Sequence, residues 1–375
     1  MSDRLRVAMF VSNYLPHPGG LEVMVWNLAR GLARRHDVVL VTSAYDGVHG
    51  VSREDGMTVH RLRAMHVTER VSVPYPIPLG PGLRTALAAA QDADVVHAHG
   101  ALYAQTLLAR RVARRARAPL VLTEHVGFVE YESAVLNAIQ RAAWRAVGDH
   151  VVRDAHAVVA LGARVQEWLT TRLRPDVRFV GNGVDLCAFQ RRSLDRRAVR
   201  RSFGLPEDDV LVLWAGREAA KKNLDLALAI PRDRFTLVVC GWKRDLDGER
   251  LVDLGALPHE RMADLYGCVD LLLHTATGEG FPLAVQESVA SGLPVVLLWD
   301  EGYGRWMRRD VVAAANEPSD VAATLAALVD DPGRRASLAQ AGREWAEAHW
   351  SWEATVAAYE EIYRDVIDRP RARGR

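Results

Sequence analysis

The sequence predicts an α/β protein built of two doubly wound units. In the first half, an apolar strand at residues 5–11 is followed by a glycine-containing loop and by a helical pattern at 21–34. In the second half, a similar buried strand at 210–215 begins a new series of strands and helices. A length of 375 residues corresponds to about two to three domains, so each series is long enough to form its own unit.

The composition is that of an ordinary globular protein, with 49% hydrophobic and 25% charged residues. A net charge of +1 gives no general attraction to nucleic acid, and we expect no such partner. Cys187, Cys240 and Cys268 are far apart, which argues against a disulfide framework or a zinc site. No apolar run approaches the roughly 20 residues that span a bilayer. We therefore expect a soluble, cytoplasmic protein.

Apolar runs and helical periodicity place the remaining elements. Further strands are expected at 38–42, 57–62, 94–96, 120–123, 157–160, 177–180, 235–240, 269–273 and 293–298. Helices are expected at 107–117, 133–152, 195–202, 259–267, 321–329 and 334–349, with a last helix reaching about residue 367. Between the two series, residues 181–185 read Gly-Asn-Gly-Val-Asp, the chemistry of a tight turn.

Two loops follow strands in a way that suits an anion. The first contains Gly19 and Gly20 and leads into a helix, a geometry that directs backbone N–H groups at a negative charge. It matches neither GxGxxG nor GxxxxGK[ST], and alone it favours a plain turn. The second loop, after the strand at 210–215, carries Arg217 and Lys222, which alone could be solvated cations.

Residues 278–296 contain two glutamates eight positions apart. Glu279 lies on a glycine-flanked loop, and Glu287 lies on the amphipathic run that follows, about two helical turns further along. The run ends at Ser291-Gly292, where glycine can adopt a positive φ. A carboxylate accepts hydrogen bonds from neighbouring hydroxyl groups, so this pair suits a neutral polyol. Spacing alone favours two ordinary acids, one exposed on a loop and one on a helix surface.

These residues resemble a known family. Glu279-Gly280-Phe281, then Glu287, then Ala-Ser-Gly-Leu-Pro-Val-Val at 290–296, is similar to the signature of the family-4 retaining glycosyltransferases. The resemblance implies the GT-B fold, in which two Rossmann-like domains face each other across a cleft and the C-terminal helix crosses back to the first domain. The expected boundaries are 1–182 for an acceptor-side domain, 183–350 for the nucleotide-sugar domain, and 351–375 for the returning helix and a frayed basic tail.

The resemblance also implies roles for individual residues. Arg217 and Lys222 would bind the donor diphosphate, although the neighbouring Lys221 leaves open which lysine points inward. Glu279 would contact the sugar and Glu287 the ribose. From the first domain, Gly19, Gly20 and Glu22 would approach the donor, and His125 would reach the sugar near the reacting carbon. The catalytic set is His125, Glu279, Arg217 and Lys222, and the donor-binding set adds Gly19, Gly20, Glu22, Gly280, Phe281, Pro282, Leu283 and Glu287.

Two further patterns have alternative interpretations. His97 and His99 alternate at a strand end and could ligate a metal, but no cysteine or acidic ligand cluster joins them, so we favour ordinary histidines of the site wall. The helix at 107–117 is strongly basic on one side. We favour a solvated face, with weak peripheral contact to the inner face of a membrane as the alternative.

The function implied is retaining transfer of a sugar from a nucleotide-diphosphate sugar to an acceptor hydroxyl. We expect no cofactor and no metal, in line with the absence of an Asp-x-Asp motif before the site. The resemblance implies a UDP- or GDP-sugar as donor. Residues 255–257, in the segment where the family binds the nucleobase, offer no side chain that would read it, so the sequence does not distinguish uracil from guanine. The acceptor could be a small molecule, a glycan or a lipid-linked sugar. The alternatives are a sugar-nucleotide epimerase of the same fold and an inactive sugar-nucleotide-binding partner.

Overall fold

The computed structural model describes residues 4–17, 19–65, 76–80, 82–128, 133–189, 195–216, 219–241, 246–279 and 282–369. The chain falls into two compact units. The first combines Met1–Asn182 with Trp352–Arg375, and the second is Gly183–Ser351.

The first unit is organised around a sheet of mostly parallel strands. Its strands are β1 (Arg6–Phe10), β2 (Asp37–Ser43), β3 (Gly50–Glu54), β4 (Met57–Leu62), β7 (Val95–His99), β8 (Leu120–Glu124), β9 (Ala157–Ala160) and β10 (Arg178–Phe179), in the order β10-β9-β8-β7-β1-β2-β4-β3. Only β3 runs antiparallel to its neighbour among these pairs. A separate short hairpin pairs β5 (Ala64–Met65) with β6 (Ile77–Pro78).

The second unit has a parallel sheet. Its strands are β11 (Leu211–Ala215), β12 (Thr236–Cys240), β13 (Leu251–Asp253), β14 (Leu271–His274), β15 (Val295–Leu298) and β16 (Ala313–Ala315), in the order β13-β12-β11-β14-β15-β16. The order reverses between β11 and β14, and loops at the carboxyl ends of strands beside such a switch point form the usual ligand site of an open α/β sheet.

Helices connect the strands of both units. The first unit contains α1 (Gly20–Ala33), α2 (Gly82–Ala89), α3 (Ala104–Ala116), α4 (Ala134–Ala143), α5 (Asp149–Asp154) and α6 (Ala163–Arg172). The second contains α7 (Arg196–Ser202), α8 (Leu224–Leu228), α9 (His259–Cys268), α10 (Leu283–Ala290), α11 (Val321–Val329) and α12 (Pro332–His349). The last helix, α13 (Trp352–Asp368), belongs to the first unit.

Helix α13 is anchored in the first unit by apolar packing and by a buried carboxylate. Tyr359 and Tyr363 are part of the hydrophobic cluster that covers one face of the first sheet with α1. The backbone N–H of Leu5 donates to Nδ1 of His36, so Nε2 of His36 carries the proton and donates to Glu360 over 3.1 Å. Breaking such a buried interaction leaves an unpaired charge, which makes Glu360 a strong determinant of where the helix lies.

The second unit has a comparable buried anchor near the start of β14. The carboxylate of Asp270 accepts a hydrogen bond from the backbone N–H of Leu211 at 2.8 Å and one from Arg200 at 2.8 Å. Arg200 also donates to the Cys268 carbonyl oxygen. These contacts fix α7 against the edge of the sheet from which β11 and β14 start.

Most expected elements are present, and the differences concern edge strands, the ends of elements and the helices α2 and α6, which were not expected. The strands at 57–62 and 157–160 and the helix at 321–329 have the expected bounds. Strands β3, β13 and β16 were not expected; they are short edge strands, stabilised by pairing rather than by an apolar run of their own. The expected helix at 133–152 is interrupted by a π-helical segment at Trp144–Gly148, between α4 and α5.

Candidate active site

In the second unit, a lysine, a glutamate and a histidine form a buried cluster at the carboxyl ends of β11 and β14. Nζ of Lys222 lies 2.8 Å from Oε1 and 2.9 Å from Oε2 of Glu279, and Nε2 of His274 lies 3.3 Å from Oε2. Lys222 ends the short turn after β11, His274 ends β14, and Glu279 precedes α10. Since β11 and β14 are adjacent parallel strands, the three side chains meet although up to 57 residues separate them.

A hydroxyl beneath this cluster fixes the loop that carries the lysine. Oγ1 of Thr275 lies 3.0 Å from the carbonyl oxygen of Lys222 and 2.8 Å from that of Asn223, and it accepts a hydrogen bond from the indole N–H of Trp214. Asn223 has φ 51°, in the left-handed region that asparagine tolerates better than most residues. The direction of the Lys222 side chain is therefore set by buried contacts.

The cluster keeps Glu279 ionised. Burial alone would raise the pKa of its carboxyl, but the hydrogen bond from His274 and the charge of Lys222 outweigh burial and hold that pKa at about 2. Burial lowers the pKa of His274 despite the nearby carboxylate, so this histidine is neutral at pH 7. The cation of Lys222 therefore faces the anion of Glu279, and the neutral His274 lies against the same carboxylate.

The two neighbouring lysines differ clearly. Lys222 is 15% exposed and contacts Glu279, whereas Lys221 is 47% exposed and its Nζ lies 4.0 Å from Oε1 of the same glutamate. Lys222 is therefore the inward-pointing residue. Its expected partner Arg217 lies outside the described residues, as do Gly280 and Phe281. Pro282 caps α10 and Leu283 begins it, directly after the cluster.

Glu287 lies on the buried side of α10. Its Oε1 is 2.8 Å from Nε2 of His259, and its Oε2 accepts a hydrogen bond of 3.0 Å from the hydroxyl of Tyr266. The hydrogen bond with Glu287 raises the pKa of His259. Because α10 begins only at Leu283, Glu287 is about one helical turn from its start and not two as the sequence suggested. An ionised carboxylate has about four acceptor positions, so it can accept further hydroxyl groups.

In the first unit, the glycine loop and Glu22 are in contact. Oε1 of Glu22, in the first turn of α1, lies 2.7 Å from Nδ1 of His17. A Cβ atom on Gly19 would lie 2.2 Å from Oε2 of Glu22, so a larger residue at this position would displace the buried carboxylate. Gly20 is the first residue of α1. The loop, Glu22 and the start of the helix thus form one packed element.

His125 follows β8, and its backbone is held by Glu124, a residue that the sequence interpretation missed. The buried carboxylate of Glu124 accepts backbone N–H groups from Ala101 at 2.8 Å and from His125 at 3.2 Å, and it lies within reach of those of Val126 and Gly127. Burial raises the pKa of Glu124, while these donors favour its ionised form. An acid at the end of an apolar strand is the only sequence signal for this role.

His97 and His99 lie at the end of β7, buried beside His125. No group of three His, Cys, Asp or Glu residues that could hold a metal ion occurs within the described ranges.

Part of the positive charge of helix α3 is balanced by an aspartate of the same unit. Arg110 and Arg114 both pair with Asp154 at the end of α5, whereas Arg111 and Arg115 are exposed. Among the helices that the structure describes, none has the length and apolar character to cross a membrane.

Comparisons with known proteins agree with this architecture. Residues 18–187 match the family model described as Glycosyltransferase Family 4, and residues 195–345 match the model described as Glycosyl transferases group 1. The chain is 29% identical to a D-inositol 3-phosphate glycosyltransferase of Xylanimonas cellulosilytica, over 95% of this chain and 94% of that protein. It is 31% identical to the enzyme of that name from Salinispora tropica, over 77% and 67% of the two chains. A GDP-mannose-dependent alpha-mannosyltransferase of Mycolicibacterium smegmatis is 29% identical over 78% and 79%.

Solved structures share the fold at lower identity. Sucrose-phosphate synthase from Thermosynechococcus elongatus superimposes with a TM-score of 0.75 at 19% identity, over 97% of this chain and 99% of the other. The Anabaena protein HepE, in complex with UDP-glucose, gives a TM-score of 0.74 at 16% identity, over 96% and 100%. These likenesses concern the fold alone and confirm the expected two-domain GT-B class. The chain therefore belongs to the family-4 glycosyltransferases and is an enzyme that transfers a sugar from a nucleotide sugar.

Proposed function

We propose that the enzyme transfers its sugar with retention of anomeric configuration and holds the donor mainly on the second unit. Retention follows from the resemblance to the retaining family-4 enzymes. The observation that carries the donor site is the largely buried cluster of Lys222, Glu279 and His274 just before α10, the helix that bears Glu287. Lys222 supplies positive charge for a diphosphate, and the two carboxylates supply acceptors for sugar and ribose hydroxyls. Arg217, which the resemblance assigns to the same diphosphate, would add a second cation.

In this mechanism the protein positions the substrates and stabilises charge. The acceptor hydroxyl attacks the anomeric carbon from the face that the diphosphate leaves, and its proton passes to a diphosphate oxygen. Negative charge grows on the departing oxygen, and a preorganised cation such as Lys222 is most effective there because it is already in place. Glu279 stays ionised because its pKa is about 2, so it accepts hydrogen bonds from the sugar hydroxyls throughout.

We propose a GDP- or UDP-sugar as donor and a sugar or inositol phosphate as acceptor. The name of the Mycolicibacterium relative specifies GDP-mannose, whereas HepE was solved with UDP-glucose, so both bases stay candidates. The acceptor rests on the names of the inositol 3-phosphate glycosyltransferases, which are about as long as this chain. His259 is half exposed and contacts Glu287, so in this proposal it would lie near the ribose, and it distinguishes neither base.

The test is a transfer assay with UDP-glucose, UDP-N-acetylglucosamine and GDP-mannose, each with inositol 3-phosphate or a simple sugar as acceptor. The expected product is a glycoside with the anomeric configuration of the donor, identified by NMR. Lys222→Met should reduce turnover by about 10²–10³-fold, the usual cost of losing one preorganised group that stabilises transition-state charge. The neighbouring Lys221→Met is the matched control and should keep most activity. An inverted product, or equal loss in both variants, would refute the proposal.

We also propose a weak contact of residues 107–117 with an anionic lipid surface. Leu107 is 44% exposed, and Arg111 and Arg115 lie at the surface of α3. The pairing of Arg110 with Asp154 reduces the charge available, so the contact should be weak. Co-sedimentation with phosphatidylglycerol vesicles should exceed that with phosphatidylcholine, and replacing the exposed arginines by glutamine should abolish the difference. Equal sedimentation with both lipids would exclude the contact.

A further inference from the structure

The ring of His125 is hydrogen-bonded to a second histidine that has no assigned role. Nδ1 of His99 lies 3.1 Å from Nε2 of His125, and the ring centroids are 5.3 Å apart. His99 ends β7 and His125 follows β8, so the contact arises from the parallel pairing of these strands. His99 is completely buried, whereas His125 is partly exposed. With its Nε2 engaged, His125 has Nδ1 available to meet a ligand.

His99 packs against His97, which is held on both ring nitrogens by hydrogen bonds. The ring of His97 lies 4.2 Å from that of His99. Nδ1 of His97 is 2.7 Å from the hydroxyl of Tyr363, and its Nε2 is 2.8 Å from Oγ1 of Thr123, which in turn lies 3.0 Å from the hydroxyl of Tyr359. Both tyrosines are on α13, so the returning helix fixes the layer on which His99 packs.

The proton between the two rings can be placed from the remaining contacts. Burial lowers the pKa of His125 to about 3 and that of His99 well below its ordinary value, so both rings are neutral at pH 7. Two neutral imidazoles then share one proton across the contact, and one nitrogen donates while the other accepts. Nε2 of His99 is buried without a hydrogen-bond partner among the described residues. A buried N–H without an acceptor is rarer than a buried acceptor without a donor, which favours the proton on Nδ1 of His99.

We propose that His99 is a positioning residue that holds His125 in the tautomer with its proton on Nδ1, so that His125 presents a neutral N–H donor to the sugar. The proposal rests on the proposed function and, within it, on the expectation from the family resemblance that the donor sugar reaches His125. A neutral hydrogen-bond donor suits the position of His125, because positive charge develops at the anomeric carbon when the diphosphate leaves. An imidazolium would oppose that charge, whereas a neutral N–H can bind a sugar oxygen.

A pair of substitutions separates this role from a purely structural one. His99→Asn keeps an amide at the position of Nδ1 that can still donate to Nε2 of His125, whereas His99→Leu keeps volume and loses the donor. We expect His99→Leu to lower kcat about tenfold to a hundredfold, the usual effect of a misplaced reacting group, with a smaller change in the KM of the donor sugar. His99→Asn should recover most of kcat. His60→Leu, which removes another buried histidine of the same sheet, is the matched control and should keep wild-type kcat.

The tautomer is measured directly by two-bond ¹H–¹⁵N NMR correlations on the full chain with ¹⁵N-labelled histidine, the His125 signals being assigned with His125→Gln. The expected result is a proton on Nδ1 of His125 in the wild type and in His99→Asn, and a mixture of tautomers in His99→Leu. A proton on Nε2 in the wild type would overturn the inference, as would equal kinetic loss in the Asn and Leu variants. This spectrum needs no substrate, so it stands even if no glycoside is formed and the proposed function fails.

Discussion

Replacing Glu279 by glutamine removes the anion of the buried cluster while keeping its size. Nζ of Lys222 would then lie in a largely buried place without a counter-charge, next to the neutral His274. In the folded protein the pKa of Glu279 is about 2, against an ordinary value of 4.5. At ~1.4 kcal/mol per pKa unit, this difference corresponds to about 3 kcal/mol of folding stability. The group is only 10% exposed, so solvent screening reduces this value little.

The pH dependence gives this prediction its sign. Because the pKa is lowered on folding, the stabilisation is fully present above the unfolded value of 4.5 and is lost as the pH falls towards 2. The Glu279→Gln variant should therefore be less stable than the wild type at pH 7, and the difference should shrink steadily below pH 4.5.

Urea unfolding followed by hydrogen exchange in peptides from α10 measures this difference in the second unit alone. Glu249→Gln, at an exposed glutamate of the same unit, is the matched control for the substitution itself. If Glu279→Gln loses the same stability at pH 3 as at pH 7, or loses none, the charge pairing is not what stabilises the cluster.

Two further substitutions test the scaffold. Glu360→Ala should lower the unfolding free energy of the first unit by about 3 kcal/mol, because it leaves buried partners unpaired; urea unfolding compares it with the exposed neighbour Glu361→Ala, and similar losses would contradict the anchoring role. Gly241→Ala should cost about 1–3 kcal/mol of strain, because φ is 91° and the new Cβ would lie 2.8 Å from the carbonyl oxygen of Gly216. It should also weaken nucleotide binding, because Gly216 directly precedes Arg217, the proposed diphosphate ligand. Gly204→Ala, at φ 68° in open space after α7, has the strain without the clash, and calorimetry with UDP and GDP should find its nucleotide affinity unchanged.

The fold and the residue types of the candidate site could be predicted from local sequence patterns. The glutamate pair, the end of α10 at a glycine of φ 68°, and the basic loop after β11 can all be found within short windows. Buried parallel strands are similarly visible as continuous apolar runs. Edge strands are not: β16 consists of three alanines, which have little strand propensity and form a strand by pairing with β15.

The partners of the site residues could not be found in this way. Lys222 meets Glu279 only because β11 lies beside β14, and His99 meets His125 only because β7 lies beside β8. A sequence places each of these residues at a strand end without saying which strands are neighbours. The choice between Lys221 and Lys222 likewise depended on a turn held by the hydroxyl of Thr275, which lies more than fifty residues away in sequence.

The central claim is that Lys222 on the second unit binds the diphosphate of the donor while Glu279 and Glu287 bind its sugar and ribose. Titration calorimetry with UDP and GDP tests it most directly, on the wild type, Lys222→Met and Lys221→Met. The account predicts at least one nucleotide that binds the wild type and Lys221→Met alike and binds Lys222→Met with an affinity lower by about tenfold or more, the ~1.5–3 kcal/mol of a charged hydrogen bond. Equal affinity in all three proteins would contradict it.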